Sequence, residues 1–135
     1  MSNLTIIMIL AVVGLFVLLR LGIFDRIRGI RTLDVIEANE LINNHDAIVL
    51  DVREADEYVV ARIPDAKHIP LRQIERRLGE LASSKDKPIL VSCRSGHRSA
   101  HACSMLRRHG FDQVYNLKGG LAAWARADLA LERSI

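Results

Sequence analysis

The chain has 135 residues, half of them apolar, and a net charge of +3 at pH 7. This length suits one domain, and a mean hydropathy of +0.14 is too high for a disordered chain. Its two cysteines exclude a framework of several disulfides and a four-cysteine zinc site. Four arginines and one aspartate fall in residues 20–31, whereas residues 32–135 carry 15 basic and 15 acidic side chains. The globular part therefore has no excess charge to attract nucleic acid, and we expect no nucleic-acid partner.

The first predicted element is a transmembrane helix. Residues 4–19 contain no charged side chain, and the apolar pattern resumes after Arg20 and continues to Phe24. A helix over residues 4–24 is about 31 Å long, enough for one span if Arg20 extends toward the lipid head groups. A signal peptide requires a basic residue before its apolar run, and none is present here. A core helix would have a polar stripe, which this segment also lacks. We predict a span that contacts membrane lipid over residues 4–24 and a basic juxtamembrane linker over residues 25–31.

The basic cluster also predicts the orientation of this span. The juxtamembrane arginines all lie on its C-terminal side, and positively charged flanks stay in the cytoplasm. We therefore predict a single-pass protein of the inner (cytoplasmic) membrane, with the N-terminus outside and the domain of residues 32–135 in the cytoplasm. Cysteine thiols stay reduced in that compartment. A tether of this kind is also compatible with a membrane-protein partner, which the sequence does not identify.

Within residues 32–135, apolar runs suited to buried strands alternate with helical patterns. This alternation predicts an α/β fold with a parallel sheet covered on both faces. Asp34 and Glu37 have the spacing of a capping box, and they predict a helix that Asn43 and Asn44 terminate. The next predicted elements are a strand over 47–52, a short helix over 54–60, a short strand around residues 68–69 and an amphipathic helix over 71–81.

The C-terminal half continues the same alternation. A strand over 89–91 precedes a helix from about His97 to His109, and Gly110 is well placed to end that helix. A strand over 113–117, a turn at residues 119–120 and a helix over 121–126 complete the chain. Cys103 falls on the inner face of the long helix, so we expect it to be a core thiol rather than a resolving cysteine.

The most informative segment surrounds Cys93, which ends a predicted strand and is followed by a short loop and a helix. A cysteine beside a helix N-terminus meets partial positive charge from unpaired N–H groups, which favours the thiolate. Arg94 and Arg98 add two full charges, and Gly96 lets several loop amides point toward one anion. We therefore predict a reactive thiolate at Cys93 rather than a buried structural thiol.

Two segments together resemble a single-domain rhodanese: LDVREADEYVVARIPDAKHIPL in residues 50–71 and PILVSCRSGHRSAHACSMLRRHGFDQVYNLKGGLAAW in residues 88–124. The resemblance implies a three-layer α/β/α sandwich around a five-stranded parallel sheet. It also implies transfer of sulfane sulfur through a cysteine persulfide. The family's active cysteine corresponds to Cys93. The loop that binds the substrate and the persulfide corresponds to Arg94, Ser95, Gly96, His97 and Arg98.

Other motifs of the family are present with some departures. Asp51 and Arg53 match its Asp-x-Arg, which supports the surroundings of the loop, and residues 116–120 match its Asn-Leu-x-Gly-Gly turn. Trp124 matches a closing tryptophan, and we expect it in the core. Where the family has Gly-His-Ile-Pro-Gly-Ala, residues 61–66 read ARIPDA. We expect the two lost glycines to change the geometry of this turn and Arg62 to alter the mouth of the site.

The function that follows is a membrane-anchored sulfurtransferase. Cys93 would take sulfur from thiosulfate or a persulfide donor and pass it to a thiol or to cyanide, with Arg94 and Arg98 binding an anionic donor. We expect no cofactor and no metal, because no carboxylate completes a ligand set with His97 and His101. One alternative is a tethered binding or sulfur-carrier module with little turnover. Phosphatases and arsenate reductases of this fold, a weaker alternative, place their arginine one position later than Arg98.

Overall fold

The computed structural model describes residues 2–20 and 30–134. Its first helix, α1 (Asn3–Arg20), has 18 residues and a mean hydropathy of 2.4, and none of its residues is buried. By length and composition this helix is a candidate membrane span, although an N-terminal signal sequence meets the same description. The rest of the predicted span, residues 21–24, and residues 25–29 of the predicted linker lie outside the described residues.

Residues 30–134 form a parallel five-stranded sheet with the order β1-β5-β4-β2-β3. The strands are β1 (Arg31–Leu33), β2 (Ile48–Asp51), β3 (Lys67–His68), β4 (Ile89–Ser92) and β5 (Val114–Leu117). The central strand β4 pairs with β2 on one side and with β5 on the other, for example Leu90 with Val49 and with Tyr115. The predicted parallel sheet is confirmed.

Helical segments cover both faces of this sheet. The α-helices are α2 (Val35–His45), α3 (Ala55–Val60), α4 (His97–Arg108) and α5 (Gly120–Arg126), and three 3₁₀ segments occupy Leu71–Gln73, Glu75–Glu80 and Ala82–Ser84. Residues of α4 and the 3₁₀ segments share one core with Leu50 and Val91, whereas α2 and α5 share the other with Val49 and Leu90. Successive strand residues thus alternate between two cores, which gives the three-layer α/β/α arrangement. Trp124 belongs to the second core, as expected.

The start of α2 is confirmed in detail, but its end is not. Asp34 accepts a hydrogen bond from the Glu37 N–H at 2.8 Å, and the Glu37 side chain accepts one from the Asp34 N–H, so the predicted capping box is complete. The helix does not stop at the two asparagines. It continues through His45 and ends at Asp46, which adopts the left-handed conformation with φ 53°.

The α-helix predicted over residues 71–81 is wrong, because this segment is 3₁₀-helical, but its apolar residues pack in the core as predicted. This segment consists of 3₁₀ turns with i→i+3 hydrogen bonds, and Arg77 interrupts it with a non-helical φ of −112°. A 3₁₀ turn places residues three apart on one face, and the break at Arg77 accommodates the four-residue step from Ile74 to Leu78. The apolar side chains therefore still face the core. Ile74 and Leu81 are buried, and Leu71 and Leu78 pack partly against the same core.

The strand β1, which forms one edge of the sheet, is not predicted by the sequence pattern. Its three residues pair with β5, with Arg31 opposite Tyr115 and Leu33 opposite Leu117. Three residues with a charged first member carry too little apolar pattern to predict a strand. Ile30, which we placed in the linker, is buried in the same core as α4, so the packed domain includes it.

The turn over residues 61–66 forms without the two glycines. Asp65 takes the left-handed conformation itself, with φ 61°, and its N–H donates to the Glu132 carboxylate. Arg62 forms an antiparallel bridge with Glu132 and an ion pair with its carboxylate at 3.2 Å, and its guanidinium lies over the Tyr58 ring. The C-terminal segment therefore holds this arginine in place.

Candidate active site

Cys93 lies directly after β4, at the carboxyl end of the central strand, where ligands bind in parallel α/β sheets. The residue is 1% exposed, so its sulfur lies at the bottom of the following loop. The backbone N–H of Gly96 donates a hydrogen bond to Cys93 Sγ at 3.0 Å. Gly96 caps α4 with φ 106°, a backbone conformation that glycine adopts without strain. The strand end, the loop and the start of α4 thus enclose the sulfur.

A buried polar chain lies behind the sulfur. Ser99 Oγ is 3.3 Å from Cys93 Sγ and donates a hydrogen bond to Asn116 Oδ1 at 2.6 Å. The Asn116 side chain in turn donates to the Gly96 carbonyl at 3.3 Å, which fixes the amide orientation. Because Ser99 has one hydroxyl proton, it serves either the sulfur or Asn116. In the thiol form, Cys93 donates to Ser99, and in the thiolate form the hydroxyl proton is free to turn toward the sulfur.

These contacts favour the thiolate form of Cys93. Burial raises the pKa of the thiol, but hydrogen bonds from the Ser99 hydroxyl and from backbone N–H groups of Ser99, Gly96 and Ser95 outweigh it. The net pKa of Cys93 lies below its usual range. Burial and the nearby Cys93 charge raise the pKa of Cys103 far above its usual range. Cys103 lies on α4 and is fully buried in the core that this helix forms with the sheet, so its predicted position as a core thiol is confirmed.

The turn after β5 holds the loop from the other side. Leu121 N–H donates to the Cys93 carbonyl at 2.8 Å, and Ala122 N–H donates to the Arg94 carbonyl at 3.2 Å. This approach requires Gly120, since a Cβ at that position would overlap the carbonyl groups of Cys93 and Arg94. The start of α5 therefore fixes the backbone that carries the sulfur.

Asp51 and Arg53 form a buried ion pair beside this loop. Arg53 Nη2 lies 2.7 Å from Asp51 Oδ2, and Arg53 Nε also donates to both carboxylate oxygens. The guanidinium further donates to the carbonyls of Glu57 and Ala61, which tie α3 to the end of β2. His68 donates from Nε2 to the Arg53 carbonyl at 2.7 Å. The pair thus organises the wall of the site through backbone contacts.

The two loop arginines have different surroundings. Arg98 donates two hydrogen bonds to Glu57, at 2.7 and 3.0 Å, in a bidentate ion pair. Arg94 is exposed and lines an open cavity of about 480 Å³ between α3 and α5. Ser95 and His97 are also exposed. The predicted loop residues therefore lie together around Cys93. Among the described residues, a carboxylate faces Arg98, whereas none forms an ion pair with the exposed Arg94.

Two further residues, Glu57 and Ser99, belong to this site although no sequence motif predicts it. Glu57 has the spacing of a capping box with Glu54, which predicts a helix start and nothing about Arg98, 41 positions later in the chain. Ser99 follows the loop on α4, where its burial beside Cys93 and Asn116 depends on how β4 and β5 pair. Pairs of this kind are not visible in a single sequence, because they arise only when distant elements pack.

Comparisons with known proteins agree with this geometry. The sequence profile of the rhodanese-like domain matches residues 34–127. A sulfurtransferase of Allochromatium vinosum is 37% identical over 94 residues, which cover 70% of this chain and 86% of that protein. The thiosulfate sulfurtransferase GlpE of Actinobacillus pleuropneumoniae serotype 7 is 34% identical over 96 residues, covering 71% of this chain and 87% of the relative.

A solved structure has the same fold. The rhodanese-related protein of Thermoplasma volcanium superposes with a TM-score of 0.69 at 27% sequence identity, over 76% of this chain and 97% of that one. The residues that match the family profile, 34–127, include β2 to β5, the Cys93 loop and the buried Asp51–Arg53 pair. The chain belongs to the rhodanese-like family of sulfurtransferases.

Proposed function

We propose that the protein is a membrane-anchored sulfurtransferase that carries sulfane sulfur as a persulfide on Cys93. The observation that carries this proposal is the Gly96 N–H at 3.0 Å from Cys93 Sγ, together with the lowered pKa of that thiol. A thiolate is the nucleophilic form of cysteine, and amides aimed at it also stabilise a persulfide anion in its place.

The chemistry runs in two steps. The Cys93 thiolate attacks the outer sulfur of thiosulfate or of a persulfide donor, forming a new S–S bond and releasing sulfite or a thiolate with the electron pair of the broken bond. The Cys93 persulfide anion then loses its outer sulfur to a thiophilic acceptor, a thiol or cyanide, and the thiolate is restored. No electrons enter or leave the protein, so neither step needs a redox partner.

The buried position of Cys93 favours a donor with a protruding terminal sulfur atom. The residue is 1% exposed beneath a loop of four residues between Cys93 and Arg98. We assign the persulfide-binding loop to these residues, with Arg94 at its rim as a guanidinium open to an anionic donor. Asp51 and Arg53 act as positioning residues, since their contacts reach the loop through the backbone of α3.

The membrane part of the proposal rests on α1. None of its 18 residues is buried against the domain, and its apolar surface suits lipid. With the arginines of residues 20–31 on the cytoplasmic side, the domain would lie in the cytoplasm at the inner membrane, close to any membrane-protein partner.

A phosphatase or arsenate reductase activity has less support at this site. Such enzymes need an arginine open above the loop to hold a tetrahedral oxyanion, but here Glu57 binds both terminal nitrogens of Arg98. The loop is also one residue shorter than those enzymes use.

The test is intact mass of the full-length protein in detergent after treatment with thiosulfate, beside Cys93→Ser. We expect one added sulfur on the native protein, none on the variant, and release of that sulfur as thiocyanate on adding cyanide. A folded protein that gains no sulfur from thiosulfate or from a low-molecular-weight persulfide would contradict the proposal. That result would favour a tethered binding module instead.

A further inference from the structure

The ion pair between Glu57 and Arg98 changes the charge of the site from that of its loop sequence. Two arginines flank Cys93 in the sequence, but the carboxylate of Glu57 neutralises one of them through two hydrogen bonds of 2.7 and 3.0 Å. The two side chains are 35% and 26% exposed, so the pair lies at the edge of the site and is only partly screened by water.

Glu57 is held in place by the backbone around it. The Glu54 N–H donates to Glu57 Oε1 at 3.3 Å in the capping box of α3, and Arg53 donates to the Glu57 carbonyl at 3.3 Å. Hydrogen bonding to Arg98 lowers the pKa of Glu57 to about 2, so the carboxylate is charged at any working pH. The pair is therefore a fixed part of the site rather than a passing surface contact.

Arg98 is close enough to Cys93 for its charge to act there. Its pKa is raised chiefly by hydrogen bonding to Glu57 and, to a smaller extent, by attraction to the Cys93 thiolate. The cavity beside the loop is lined by the cations Arg53, Arg94 and Arg133 and by the anions Asp56 and Glu57. Because Asp51 already neutralises Arg53, the remaining two cations and two anions balance. A doubly charged donor thus gains little more attraction there than a singly charged one.

We infer that Glu57 is a specificity-determining residue that, by neutralising Arg98, lowers the site's preference for dianionic sulfur donors and directs it toward monoanionic ones. This inference rests on the proposed sulfurtransferase function and adds the charge class of the donor. Removing the carboxylate while keeping Arg98 would leave a second guanidinium for the outer oxygens of a dianion.

Two donors that differ by one charge test the inference. Thiosulfate is a dianion, and its leaving group is sulfite. Methanethiosulfonate is a monoanion, and its leaving group is methanesulfinate. In both reactions the Cys93 thiolate forms a bond to the terminal sulfur, the donor's S–S bond breaks, and the leaving group takes the electron pair. Because the transferred atom is the same, the donor's charge is the main variable when one protein variant is compared with another.

Glu57→Gln in the full-length protein is the decisive variant. Glutamine keeps the side-chain oxygen that accepts the Glu54 N–H, so α3 keeps its cap while the charge is lost. We expect the ratio of kcat/KM for thiosulfate to that for methanethiosulfonate to rise by about three- to tenfold. The rate with thiosulfate should also fall more steeply with ionic strength than in the native protein.

Three controls separate charge from structure. Asp86→Asn makes the same charge change in the turn before β4, at the opposite end of that strand from Cys93. The extended chain between residues 86 and 93 spans about 20 Å, so the donor ratio should not change. Glu57→Asp keeps the charge and should stay close to the native ratio. In an Arg98→Ala background, Glu57→Gln should no longer raise the ratio, because the guanidinium that it releases is absent.

An unchanged donor ratio in Glu57→Gln, with sulfur still loading on Cys93, would overturn the inference and leave the sulfurtransferase function standing. A ratio that rises equally in the Arg98→Ala background would also overturn it. Absence of a Cys93 sulfur adduct with both donors, in native protein and variant alike, would instead contradict the proposed function itself.

Discussion

Gly120 packs directly against the carbonyl group of Cys93. A Cβ at residue 120 would lie 2.7 Å from the carbonyl carbon of Arg94 and closer still to the Cys93 oxygen. Its φ of 56° is also a conformation that side chains disfavour. The start of α5 and the Cys93 loop therefore meet through a contact that only glycine allows.

Replacing this glycine should damage both stability and the site. We expect Gly120→Ala to lower the free energy of unfolding by about 2–4 kcal/mol, since backbone must shift to admit the methyl group. Sulfur loading of Cys93 should fall as the loop moves. Chemical denaturation and intact mass measure the two effects. The control is Gly79→Ala, which has open space around the new methyl group and should leave the free energy of unfolding nearly unchanged. Equal stability of the two variants would contradict the close contact between Gly120 and the Cys93 loop.

The hydroxyl of Ser99 should contribute to the pKa of Cys93. In Ser99→Ala the thiolate loses one hydrogen-bond donor, so its pKa should rise, and the pH at which sulfur loading becomes half-maximal should rise with it. Thiolate absorbance during a pH titration, with Cys93→Ser as the blank, measures this shift. Ser104→Ala on the same helix is the control. An unchanged Cys93 pKa would mean that Ser99 keeps donating to Asn116 when the thiolate forms.

The buried pair of Asp51 and Arg53 should contribute strongly to stability once one partner is removed. Asp51→Asn leaves the Arg53 guanidinium buried without a counter-charge, which costs about 3–5 kcal/mol. Asp46→Asn removes the partner of Lys87 in an exposed pair, and its expected cost is about 1 kcal/mol or less. Denaturation midpoints of the two variants should differ clearly, and similar midpoints would show that Arg53 finds another partner.

The two cysteines should separate activity from stability. Cys103→Ser places a hydroxyl in the apolar core and should cost about 1–3 kcal/mol, with sulfur loading retained in the folded protein. Cys93→Ser should fold normally and accept no sulfur. If Cys103→Ser loses sulfur loading while its melting curve stays native, Cys103 takes part in the transfer and its role is not only structural.

The orientation in the membrane is tested with cysteines introduced one at a time in a Cys93→Ser background, in which the remaining Cys103 is fully buried. An impermeant thiol reagent should label Ser2→Cys in intact cells and should label Ser134→Cys only after lysis. Both positions are exposed in the structure, so lack of labelling reports the membrane rather than burial. The reverse pattern would place the domain outside the cytoplasm.

Elements with a strong local signal were predictable from the sequence. The capping box at Asp34 and the apolar runs that became β2, β4 and β5 carry their own pattern, and each formed within one or two residues of its expected bounds. Cys93 and its loop were predictable because a strand end, a glycine and two arginines lie within six positions.

Features that depend on distant partners were not predictable. Whether Arg98 faces a donor or a carboxylate depends on α3 packing beside α4, and the edge strand β1 exists only because β5 offers it a partner. The 3₁₀ turns near Ile74 have the same apolar spacing as an α-helix, so hydrophobic periodicity does not separate the two.

The strand order also sets when this site can form during synthesis. β1 closes on β5, the last strand to leave the ribosome, while β2 and β4 can pair earlier. Asn116 and Gly120, which organise the surroundings of Cys93, both belong to that late segment. On a nascent chain, the loop that carries Cys93 therefore lacks its contacts with Asn116 and Gly120, and we expect it to take its final geometry only when the domain is completed.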